Sequence, residues 1–175
     1  MKLPRFKFKT PVIKSLVKLY LSFGAMIILF VIAFHIPFVH RSVVVPFTSV
    51  VAQCSGLLMN LFGAGSHVNV NILSTSKFSI NVVDGCNGIY ATAILISGVI
   101  AYPTKIIHRL YGALAGVAAI FILNLVRVIS LFYLGQYYPD IFEDIHVFIW
   151  QPIIILWAVF IWDFWSRKIE SKKTI

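Results

Sequence analysis

From Leu110 to Leu134 the chain reads LYGALAGVAAIFILNLVRVISLFYL, a run with one charge, Arg127. A run this long reaches across the ~30 Å of bilayer hydrocarbon as a helix. Lipid offers no partner for backbone N–H and C=O groups, so an open loop or sheet edge cannot take its place. Three further segments suit the same fate: Leu19 to Ile36, Asn87 to Tyr102 and Val147 to Trp165. Composition agrees, with 59% hydrophobic residues, a mean hydropathy of +0.91 and 12% charged residues, against about 25% charged in soluble domains. The predicted fold is an all-α membrane bundle: four transmembrane helices, one extracytoplasmic interfacial amphipathic helix and a small β-hairpin.

The basic residues fix a predicted orientation. The N-terminus MKLPRFKFKTPVIKSLVKLY, the loop PTKIIHR and the C-terminal WSRKIESKK carry most of the Lys and Arg. The positive-inside rule makes all three cytoplasmic. Only Arg41, Lys77 and Arg127 fall elsewhere. The net charge of +9 therefore reads as topology and not as a nucleic-acid footprint, because no basic patch is interleaved with aromatics on a soluble module. The first apolar run exceeds the ~7–15 residues of a signal h-region, and no small-x-small cleavage site follows it. It reads as an uncleaved membrane helix of an inner, multi-pass cell-membrane protein. Residues 1–175 form one domain: a basic cytoplasmic N-terminus (1–18), an extracytoplasmic amphipathic helix and hairpin (43–85), the helices carrying the candidate site (86–165) and a cytoplasmic tail (166–175).

The segment from Val43 to Gly63 would upset this orientation if it spanned. Phe47, Val50, Val51, Cys54, Leu57, Leu58, Leu61 and Phe62 share one helical face, while Thr48, Ser49, Gln53, Ser55, Met59 and Asn60 fall mostly on the other. That is an amphipathic stripe, with Pro46 suited to the helix start and Gly63 to its end. The expectation is a helix lying flat on the outer interface; a fifth span is the alternative. Next, Val68, Val70 and Ile72, then Phe78, Ile80 and Val82, alternate with polar residues around STSK. Period-2 patterning on both sides of a polar turn predicts one β-hairpin, delivering the chain to Asp84, Gly85 and Cys86.

Three polar residues then converge on one depth. Cys86 opens the second span at the outer surface and His146 opens the fourth. Arg127 lies about 26 Å up the third span from its cytoplasmic end, at 1.5 Å per residue. A charge within an apolar run costs roughly 2.5–3.5 kcal/mol at mid-helix, and such residues usually face the bundle interior and serve function; snorkelling to outer headgroups is the plain alternative. Asn124 shares the Arg127 face. Cys86 can be a small buried filler, but Gly85 and Gly88 permit a tight turn and close approach of another backbone. A helix N-terminus and a nearby guanidinium would both favour its thiolate. His146 follows an acidic loop, YYPDIFEDIH, so Asp140, Glu143 or Asp144 can orient it, or the acids can form a solvated loop. Cys54 falls on the apolar stripe, which explains it without a disulfide to Cys86. No ligand pairs at metal-binding spacing occur, so neither metal nor cofactor is expected.

These side chains suit acyl transfer through a thioester. A thiolate attacks acyl carbons, an imidazole protonates a leaving amine, and a fixed Arg holds an oxyanion. A peptide bond just outside another protein's membrane helix is a natural substrate at that depth. The small-residue run GALAGVAA permits close helix packing, either with a substrate helix or within the bundle.

The ordered set LLMNLFG, a hairpin, DGCNG, NLVR and IH before a last helix resembles the exosortase/archaeosortase family of membrane transpeptidases. The resemblance covers about residues 43 to 165, and its short spacings resemble a compact form such as exosortase H. It implies Cys86 as nucleophile, Arg127 as oxyanion and transition-state stabiliser, and His146 as general acid/base, with Asn124, Gly85 and Gly88 in support. Many members carry Ser after the Cys, where this chain has Asn87. The resemblance further implies a cysteine protease or transpeptidase. Its substrates would be exported proteins with a C-terminal motif, a transmembrane helix and a basic tail. It would cleave these sorting signals on the extracytoplasmic side and transfer the product to a surface glycan or lipid acceptor, with membrane lipid around it and no nucleic acid.

Two readings from other classes compete. A non-enzymatic membrane assembly or interaction protein would use Arg127 as an ion-pair anchor and would not need Cys86. A small transporter would need a polar path below Asn124, where the sequence offers only Ser97 and Asp163.

Overall fold

The structure is a computed structural model that describes residues 10–171. The expected basic N-terminus and C-terminal tail therefore lie partly outside the described residues, at 1–9 and 172–175. The bundle is all-α apart from one small sheet. Helix α1 runs Thr10–His35. A second helical run, Pro37–Leu61, comprises α2 (Pro37–Val39), a π-wound turn (His40–Val44) and α3 (Val45–Leu61). After the sheet come α4 (Ile89–Ala101), α5 (Ile106–Tyr137) and a last run of a 3₁₀ turn (Pro139–Ile141), α6 (Phe142–Asp144), a second π-wound turn (Ile145–Trp150) and α7 (Gln151–Ser171).

Four of these runs are long and apolar enough to cross a membrane: Val17–His35, Pro37–Leu61, Ile106–Tyr137 and Pro139–Ser171. Helix α4, expected as a span of its own, is shorter at 13 residues. It nonetheless forms the centre of the bundle, packed against α1, α5 and α7. Its buried face of Ala91, Leu95 and Val99 joins Ile120 of α5 and Ile154 and Ala158 of α7 in one core. Gly116 seats Leu95, and Gly112 seats the Trp165 indole. Two glycines of the small-residue run of α5 are thus used for packing within the bundle.

A second core lies between α3, the sheet and the C-terminal half of α5. It contains Val51, Ala52, Met59, Leu73, Val82, Cys86, Leu125, Val128 and Phe132. The polarity of α3 departs from a simple stripe. Thr48, Ser55, Gly56 and Met59 are buried, while Val50, Leu57, Leu61 and Phe62 are exposed. Small residues let the sheet approach: a Cβ on Gly56 would lie 2.6 Å from Val68 Cγ2. The large apolar residues face outward.

The sheet has three strands in the order β1 (His67–Asn69), β2 (Ile72–Ser74) and β3 (Ser79–Asn81), both pairs antiparallel. The expected first strand is therefore itself a hairpin, turning at Val70 and Asn71 between the Asn69–Ile72 pair. Alternation continues through a two-residue turn, which conceals it. Val70 takes φ 55°, unusual for a β-branched residue. Ser49 Oγ donates to its carbonyl at 2.8 Å, and Asn71 Nδ2 donates to Asn81 Oδ1 and the Val82 carbonyl. Leu73, fully buried, plugs the sheet onto the helices.

Candidate functional site

The chain leaves β3 through Val82 and Val83 and turns over Asp84, Gly85 and Cys86, with the Cys86 N–H donating to the Val83 carbonyl at 2.8 Å. Asn87 organises the entry into α4. Its Oδ1 accepts from the Ile89 N–H at 2.9 Å, capping the helix, and its Nδ2 donates to Thr48 Oγ1 at 2.7 Å. The residue that departs from the common Ser thus ties the turn to α3. Gly88 takes φ 78°, and a Cβ there would meet Asn124 Cγ at 3.1 Å. Both requirements call for glycine. Gly85 has no such restriction: it is exposed, and nothing lies within 4 Å of a Cβ placed on it.

Cys86 Sγ and His146 Nε2 are 2.7 Å apart. His146 comes from the π-wound turn before α7, and its Nδ1 is buried without a hydrogen-bond partner among the described residues. Of the three candidate acids, Glu143 stands nearest, its Oε2 3.7 Å from Nδ1. That is an ion-pair distance and too long for a hydrogen bond; the Glu143 side chain is 75% exposed, so the pairing is solvent-screened.

Arg127 is fully buried. Its Nη2 donates to Gln151 Oε1 at 2.9 Å, while Nε and Nη1 have no partner among the described residues. The Asn124 amide, also fully buried, is likewise unpartnered at both Nδ2 and Oδ1. Unpaired buried groups cost roughly 1–3 kcal/mol each, so this cluster holds donors in reserve. Arg127, Gln151, Gly85, Gly88 and Asp84 line a cavity of ≈ 40 Å³, room for about one water or one carbonyl oxygen.

Electrostatics correct one expectation. Burial pushes the Cys86 thiol above its ordinary value of 9.0; the Arg127 guanidinium pulls it down but does not offset the desolvation, and Glu143 adds to the rise. Cys86 therefore rests as a thiol, and the neighbouring imidazole is the group placed to take its proton. The two cysteines are free, and Cys54 packs against the core that contains Cys86.

The structure brings together Cys86, Arg127, His146, Asn124, Gly85 and Gly88. Gln151 was not anticipated; its signal is a carboxamide inside the apolar run FIWQPIIILW. Nor was the His40–Asp84 pair, Nε2 to Oδ2 at 2.7 Å, which joins residues far apart in sequence.

A family model described as transmembrane exosortase matches residues 17–162, a range that holds every residue of the site. No curated protein and no solved structure matches the chain.

Proposed function

The chain belongs to the transmembrane exosortase family, and from that premise we propose that it cleaves C-terminal sorting signals of exported proteins by cysteine catalysis and transfers the new C-terminus to a surface acceptor. Family membership and the apolar helices make it a multi-pass membrane protein with a transpeptidase-like role in general. The observation that carries the finer reading is the 2.7 Å approach of Cys86 Sγ to His146 Nε2 beside a buried, under-partnered Arg127.

In this reading His146 Nε2 takes the Cys86 proton as sulfur attacks the scissile carbonyl. The carbonyl oxygen enters the small cavity, where an unpartnered N–H of Arg127, at Nε or Nη1, donates to the developing oxyanion in a dry setting. His146 then protonates the leaving amine, which departs with the substrate's membrane helix and basic tail. A thioester on Cys86 remains, and an acceptor or water resolves it. The basic termini and the PTKIIHR loop support a cytoplasmic placement for themselves and an extracytoplasmic one for the site. The sheet next to the site supports the same level, because its open edges need water.

The test compares membrane-anchored surface proteins in cells carrying wild type or Cys86→Ala. The expected result is uncut proteins, retaining helix and basic tail, that accumulate only in the mutant. Identical patterns with the mutant protein present in the membrane would overturn the reading.

A further inference from the structure

A transpeptidase must bring a second reactant to its thioester, and the site has a second opening. Beside the small cavity at Arg127 lies an open cleft of ≈ 360 Å³ lined by His40, Thr48, Asn71, Val83, Asp84 and Gly85. The two share Asp84 and Gly85 as walls, the residues directly before Cys86. The first is too small for more than a carbonyl oxygen or a water. The second is nine times that volume and carries polar side chains.

Across this cleft His40 Nε2 and Asp84 Oδ2 are 2.7 Å apart. A carboxylate oxygen only accepts, so Nε2 carries the proton and the Nδ1 of a neutral His40 is left with its lone pair. This is the orienting logic of an acid–histidine pair in nucleophile activation. Both side chains are 40% exposed, so a reactant can reach them from water. His40 is also the first residue of a π-wound turn, a winding found often at functional sites. His146 sits in the other π-wound turn and is already engaged with Cys86.

We propose that the His40–Asp84 cleft is the acceptor site, admitting a primary amine or hydroxyl whose proton His40 Nδ1 removes as it attacks the Cys86 thioester. This rests on the thioester reading above. The acceptor's nitrogen or oxygen forms a bond to the acyl carbon and the C–S bond breaks. The proton taken by His40 passes through water to the departing Cys86 sulfur, restoring the thiol. Water entering the same cleft gives hydrolysis. Asp84 is a positioning residue that fixes the His40 tautomer. The division of labour is one histidine for each half-reaction: His146 for forming the thioester, His40 for resolving it.

The test uses the full-length enzyme in proteoliposomes, a substrate protein identified by its accumulation with Cys86→Ala, and ethanolamine as acceptor probe. Acid-quenched samples are read by intact mass for the adduct on Cys86. With His40→Gln the thioester is expected to form at close to the wild-type rate and to decay at least ~100-fold more slowly, the low end for a lost general base, with acceleration by ethanolamine lost. Asp84→Asn should slow decay in the same sense. Formation at the wild-type rate also shows that the variant is folded. Wild-type decay and wild-type ethanolamine response in both variants would overturn the proposal. So would loss of adduct formation in both, which would place His40 in the first half-reaction or in folding. Continued cleavage by Cys86→Ala would instead remove the thioester reading itself.

Discussion

Arg127 meets Gln151 through a single hydrogen bond, Nη2 to Oε1 at 2.9 Å, and that bond holds one nitrogen of a guanidinium whose Nε and Nη1 have no partner among the described residues. The arrangement orients the charge without satisfying it. A fully neutralised Arg would have little left to offer an oxyanion.

The pair can be separated by substitution. Gln151→Leu should leave the protein in the membrane but destabilise it by about 1–3 kcal/mol, because a buried donor loses its partner, and cut processing at least ~10-fold through a disoriented guanidinium. Gln151→Glu should hold the geometry and still lower turnover, because a carboxylate competes with the oxyanion for the charge. Single-turnover cleavage rates alongside thermal melting in detergent check both. Equal or faster cleavage by Gln151→Glu would refute the oxyanion role of Arg127.

Thiol chemistry should report the resting state of Cys86. Burial raises its thiol above 9.0, so the thiolate fraction is small at neutral pH and increases about tenfold per pH unit below that pKa. Alkylation by iodoacetamide should therefore accelerate from pH 6 to pH 9 without levelling off. Arg127 lowers the value in the native protein. Arg127→Gln removes that influence, moves the thiol further up and should slow labelling at every pH in this range. A plateau already reached by pH 7 would mean a thiolate ready at rest and would contradict the assigned direction.

The two glycines around Cys86 should behave differently. Gly88→Ala places a methyl 3.1 Å from Asn124 Cγ on a left-handed backbone at φ 78°. The backbone term alone costs roughly 1–2 kcal/mol, so the melting temperature should fall. Gly85→Ala meets nothing within 4 Å and should melt like wild type. It should still process poorly, because position 85 borders both cavities and its methyl would stand in the substrate's approach. A lower melting temperature for Gly85→Ala would show that its role is structural.

Much of this was legible in the sequence because lipid simplifies the problem. Long apolar runs and charge placement located α1, α5 and α7, and depth along a helix brought Cys86, Arg127 and His146 to one level. The hidden parts turn on local chemistry that periodicity averages away. A two-residue turn at Val70 and Asn71 leaves strand alternation intact, so β1 and β2 read as one strand. The polar residues of α3 looked solvent-facing by the rules of soluble helices. In the structure Thr48 accepts from Asn87, Ser55 is buried, and Gly56 seats the sheet. Gln151 shows only as a carboxamide in an apolar run, and the His40–Asp84 pair depends on a tertiary contact that no single-segment pattern records.

Each π-wound turn stops just short of a proline. His40–Val44 precedes Pro46 and Ile145–Trp150 precedes Pro152. Proline has no N–H to give the carbonyl four residues back, here that of Ser42 and of Phe148. The ladder steps back by one instead: Val45 N–H reaches the His40 carbonyl and Gln151 N–H reaches that of His146. At 3.6 residues per turn, one extra residue shifts the phase of a helix by about 100°. Each ring thus sets the azimuth of a histidine about six residues before it, and a helix whose lipid-facing stripe is dictated by the bilayer can still aim one side chain against that stripe.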